Sequence, residues 1–140
     1  MTPDPPLDEL VEAFENATLE AGGFDHEAHI RVAWHYLEEL GLLGALERFT
    51  AAIKRLTQTL GVASRYHETI TWFYLIAIAE RLERAERGDW QAFKAANPDL
   101  FAREPALVHR YYSQTLLASE AARRRFVLPD LLPVPVTGPV

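Results

Sequence analysis

The residues of this chain best suited to chemistry are its five histidines: His26, His29, His35, His67 and His109. His26 and His29 stand three apart, which on a helix puts two side chains on one face about 5–6 Å from each other. That face continues through Ile30, Ala33 and Leu37, so the pair should point into a core. His67 opens a later apolar run in the same way, one turn ahead of Ile70 and Tyr74. If the two helices run parallel, the three imidazoles converge at one end of a bundle, with Glu68 about 100° around the helix from His67. Three histidines with a carboxylate form a ligand set for one transition metal ion: Zn, Fe, Cu, Ni or Mn. The spacing is not the His-Glu-x-x-His pattern. The competing reading is a set of structural histidines that tie helix ends together by hydrogen bonds.

Other side chains extend the candidate site. Glu68 would be a fourth ligand or the general base to a metal-bound water. Tyr66 and Tyr74 would be polar wall residues whose hydroxyls need partners when buried. Arg31 and Arg65 lie close in sequence to the histidines and would pair with Glu27 and Glu68, or with a substrate carboxylate. His35 falls on the opposite face, near Glu38 and Glu39, in solvent. His109, three residues before Tyr112, is either a plain core or surface histidine or a further ligand or base.

Composition removes several alternatives. With no cysteine, and Met1 as the one methionine, disulfides, thiolate nucleophiles, Fe–S clusters and thioether ligation are excluded. A net charge of −6 argues against a surface built to neutralise phosphates. The Arg123-Arg124-Arg125 run reads instead as basic side chains complementing a helix C-terminus. No Gly-rich phosphate loop or serine elbow is present.

The elements that must position these residues are helices. A segment from Leu7 to about Leu19 is stopped by Gly22-Gly23. Asp25 caps a helix that runs to Leu40 and ends at Gly41. A third helix, Gly44 to Leu60, carries Leu46, Phe49, Ile53, Leu56 and Leu60 and ends at Gly61. Ser64 is the expected cap of a fourth, to about Arg87, apolar over most of its circumference and therefore central. Short helices follow at Asp89 to Ala96, Ala106 to about Ala118, and Ser119 to Arg125. Four prolines from Val127 onward predict an extended strap, its first half packed on the body.

Two stretches carry a resemblance. Phe24-Asp25-His26-Glu27-Ala28-His29-Ile30-Arg31-Val32-Ala33-Trp34 fits Phe-x-His-x-x-His-x-Arg-x-Ala-Trp, and Tyr66-His67-Glu68-Thr69-Ile70-Thr71 fits Tyr-His-Glu-Thr-x-Thr. Both resemble motifs of a group of small uncharacterised bacterial helical proteins, as do Tyr111-Tyr112-Ser113 and Phe126-Val127-x-Pro129-Asp130-Leu131. The similarity spans residues 24 to 133 and implies neither a substrate nor a reaction. DinB-like four-helix proteins share the size but need a late His-x-x-x-His pair, and ferritin-like di-iron proteins need repeated Glu-x-x-His. Neither pattern occurs here.

The sequence therefore predicts one all-α domain over residues 1–140. It is a bundle of four main helices with one or two short C-terminal helices and an extended proline-rich tail, mobile at 1–6 and about 134–140. The function expected is a metal-dependent enzyme, a hydrolase or oxygenase, acting on a small-molecule substrate. Its metal ligands would be His26, His29 and His67, with Glu68, Tyr66 and Tyr74 in catalytic roles. The setting is cytoplasmic, with no nucleic acid or membrane partner. The rival is a non-catalytic helical interaction module, whose apolar tail, Val127 to Val136, would dock on a partner or a second copy of the chain.

Overall fold

Helix periodicity dominates the computed structural model, which describes residues 6–19, 24–84, 88–103 and 105–131. The helices are α1 (Leu7–Glu15), α2 (His26–Thr59), α3 (Glu68–Arg84), α4 (Trp90–Ala96), α5 (Gln114–Leu117) and α6 (Glu120–Arg124). Single 3-10 turns lie at Ala63–Arg65, Pro98–Phe101 and Leu107–Arg110. Among the described residues there is no strand, only an isolated bridge between Arg103 and Ala106. The class is all-α, and among the described residues no helix is long and apolar enough to cross a membrane.

The hydrogen-bonding pattern of α2 is nominally continuous, but the element is two helices folded back on each other. Gly41 adopts φ 73 and ψ 179, a conformation open in practice to glycine alone. In an unbroken helix Tyr36 and Phe49 would lie about 20 Å apart along the axis. Their ring centroids are in fact 6.3 Å apart. The helices expected at 26–40 and 44–60 are therefore both present, joined by a tight turn. The first starts where Asp25 accepts a hydrogen bond from the Ala28 amide at 2.9 Å. The second ends at Gly61, whose φ of 74 lets the Val62 amide reach back to the Thr57 carbonyl at 2.8 Å.

Helix α3 packs against both halves of α2, with Leu75 and Ile78 fully buried. It runs parallel to the 26–40 segment, since the starts of both line one cavity described below. Helix α1 covers the other side through Phe14, whose ring lies 4.8 Å from Phe24 and 5.2 Å from Phe49.

Three expectations about boundaries are corrected. Helix α1 ends at Glu15, not near Leu19. Ala17 takes a left-handed φ of 56 there and lets the Thr18 amide bond the Ala13 carbonyl at 2.9 Å. Helix α3 begins at Glu68, not after Ser64, because the intervening residues form the 3-10 turn. It is described as far as Arg84, and its expected end near Arg87 lies outside the described residues. The helix expected over 106–118 is broken into a 3-10 turn and α5. Asp130 draws Ser113 out of the helical path, accepting from its amide at 2.8 Å and its hydroxyl at 2.7 Å. The strap is seen as far as Leu131, held by Tyr112 Oη donating to the Val127 carbonyl at 2.6 Å and the Leu131 amide to Tyr111 at 2.9 Å. The termini expected to be mobile, Pro6 excepted, lie outside the described residues, as do Gly22 and Gly23.

Candidate functional site: a histidine-walled cavity between α2 and α3

His26, His29 and His67 do line one cavity, of about 390 Å3, together with Tyr66 and Tyr74. The remainder of its wall is chiefly apolar. Phe49, Ile53, Leu56 and Leu60, read from the sequence as ordinary core, supply one side from the second half of α2.

Each imidazole is held by the main chain. His26 Nε2 donates to the Leu100 carbonyl at 2.8 Å, reaching the 3-10 turn after α4. His29 Nδ1 donates to the Asp25 carbonyl at 2.9 Å, one turn back on its own helix, and its ring packs 3.9 Å from that of Phe24. Burial, reinforced by the neighbouring His26, lowers the His29 pKa to about 4, although the Asp25 carbonyl pulls the other way. His67 uses both nitrogens. Nε2 donates to the Leu117 carbonyl at 2.7 Å, and Nδ1 accepts from the Ile70 amide at 3.2 Å. The second bond makes His67 the N-cap of α3, in the role usually taken by Ser, Asp or Asn.

These bonds decide how the residues suit a metal. A ligand nitrogen must offer a lone pair, and His67 has none to offer while it caps α3 and holds Leu117. Among the described residues no three His, Asp or Glu side chains are grouped to hold an ion. The arrangement does not fit a metal centre on His26, His29 and His67.

Glu68 stands outside the cavity wall and meets it through Tyr66, whose hydroxyl donates to Glu68 Oε1. Lys54 Nζ lies 4.0 Å from the same oxygen and 5.2 Å from the centre of the Tyr66 ring. Burial, the Glu68 hydrogen bond and its charge all push the Tyr66 phenol above its ordinary pKa, so it stays protonated. Tyr74 is 9% exposed; burial raises its pKa, offset in part by the nearby Val108 backbone. Its ring meets the edge of His26 at 5.1 Å.

The ion pairs expected of the two arginines are replaced in part. Glu27 pairs with Lys94 at 2.5 Å and Glu68 with Tyr66 and Lys54, leaving Arg65 exposed at the cavity rim. His35 is half-buried beside Tyr36 rather than solvated, and His109 is exposed in a separate hollow with Arg103 and Tyr112. Thr69, on the same turn as Thr71, serves the fold. It is fully buried, donates to the Arg125 carbonyl at 2.8 Å and accepts from the Val127 amide at 3.2 Å. No protein-family model, curated protein or solved structure matches this chain.

Proposed function

We propose that this protein binds a small, largely apolar organic molecule in the cavity between α2 and α3. The observation that carries the reading is the cavity, about 390 Å3 of space walled by aliphatic and aromatic side chains with a few convergent polar groups. Ligand sites have this size and composition, whereas a bundle interior serving stability alone closes to crystal-like density. Binding is favoured over acid–base catalysis by His29. Burial lowers its pKa to about 4, well below the operating pH near which a general acid or base works best, and the neutral ring serves as a hydrogen-bond acceptor.

Ligand-observed NMR with naphthalene and indole as probes tests the reading. Saturable binding is expected, with a rise in melting temperature, and Ala33→Phe, which places a ring in the cavity, should abolish both. A protein that binds neither probe at millimolar concentration, and that Ala33→Phe stabilises, would have an imperfectly packed core there and no ligand site.

A further inference from the structure

Resting on that reading of the cavity, we infer that its ligand presents a neutral hydroxyl or N–H donor to His26 and His29, and that a carboxylate head is disfavoured. The argument follows the protons. A main-chain carbonyl can only accept, so the imidazole nitrogen bonded to it must carry the hydrogen. His26 is therefore protonated on Nε2, facing Leu100, and His29 on Nδ1, facing Asp25. In a neutral ring the second nitrogen is a lone pair. This leaves His26 Nδ1 and His29 Nε2 as acceptors, on two side chains of the cavity wall three residues apart on one helix.

The hydroxyls of the wall reinforce the pattern. Thr57 gives its proton to the Lys54 carbonyl at 3.1 Å, Thr71 to the His67 carbonyl at 2.8 Å, and Tyr66 to Glu68. Each keeps only lone pairs for a ligand. His67 contributes nothing, both nitrogens being engaged. The wall's side-chain donors reduce to Tyr74, beside His26, and Arg65, exposed at the rim. Inside the cavity the Tyr74 hydroxyl is the one side-chain donor that could meet an acceptor head, and a charged carboxylate would lose its hydration with at most that one bond in return. A hydroxyl or ring N–H meets a partner already in place.

Three probes that share one ring system and differ in the head test this: 2-naphthol, 2-methoxynaphthalene and 2-naphthoate. The expected result is 2-naphthol binding about tenfold tighter than the methyl ether, which cannot donate, and tighter than the carboxylate. In the wild-type protein, 2-naphthol should move the 15N resonance of the unprotonated nitrogen of His26 or His29 upfield, and the methyl ether should not. His29→Phe should narrow the gap between those two probes. The nitrogen spectrum supplies the same answer without any substitution if that variant fails to fold.

Equal affinity for 2-naphthol and its ether would overturn the inference and leave the binding function standing. Preference for 2-naphthoate would overturn it too, moving recognition to Arg65. Failure of all three probes, together with stabilisation by Ala33→Phe, would remove both readings. Stoichiometric binding of added Zn2+ alone that shifts both unprotonated nitrogens would assign the lone pairs to an ion and refute the donor assignment.

Discussion

Replacing His67 with alanine and with asparagine separates the two bonds that its imidazole makes. Alanine loses the acceptor for the Ile70 amide, a helix cap worth about 1 kcal/mol, and the donor to the Leu117 carbonyl, worth about 1 kcal/mol more. The total is about 2 kcal/mol, or roughly 6–8 °C in Tm for a chain of this size. Asparagine is a good cap but too short to reach Leu117, so His67→Asn should lose only about half as much. Urea denaturation followed by circular dichroism measures both losses. Hydrogen exchange at the Ile70 amide locates them, with protection lost in His67→Ala and kept in His67→Asn. If the two variants were equally destabilised and Ile70 exchanged at the same rate in both, the capping role of His67 would be refuted.

The other expectations concern titration and backbone. Unfolded His29, with a pKa near 6.5, takes up a proton that the folded ring refuses until about pH 4. Stability from this group is thus complete above about pH 6.5 and lost as pH falls toward 4, by about 3 kcal/mol at most. An NMR titration should find the His29 ring neutral at pH 5.5; protonation there would contradict its burial. Gly41→Ala should cost about 1–3 kcal/mol by urea denaturation from backbone strain alone, since a Cβ at that position meets nothing within 4 Å. Ala17→Gly should stabilise by up to about 1 kcal/mol in the same assay, because the left-handed position after α1 suits glycine. Tyr112→Phe removes the bond to Val127 and should cost about 1 kcal/mol, with faster amide exchange in the strap as the diagnostic readout.

The helices and their parallel arrangement were legible because they depend on local periodicity and on glycines at 41 and 61. That His26, His29 and His67 line one cavity follows once two helices separated by a third run the same way, but among the described residues they do not form the expected ligand cluster. The partners of those histidines were not legible. Leu100 O and Leu117 O belong to the main chain, and no residue type marks which carbonyl a distant imidazole will find. The cap of α3 was missed for a related reason. Ser64 is a common capping residue, but it is His67 whose Nδ1 stands where an Asn Oδ1 would. The break at Ser113 depends on Asp130, seventeen positions later, so a window reading of 106–118 sees only helix. The stripe Phe49, Ile53, Leu56 and Leu60 has the pattern of core, and an apolar cavity wall has the same pattern.

Three of the bonds that fasten the C-terminal third of the molecule to the bundle share one asymmetry. His26, His67 and Thr69 donate from side chains, and the recipients at Leu100, Leu117 and Arg125 are carbonyls. Every amino acid carries a carbonyl, so at those three positions the side chain answers to packing alone: Leu100 and Leu117 are buried and Arg125 is exposed. The donors have no such latitude. A saturation mutagenesis library should show this as a lopsided map, with His26, His67 and Thr69 intolerant, Leu100 and Leu117 open to other apolar residues, and Arg125 permissive. The two faces of one interface would then carry unequal amounts of sequence information.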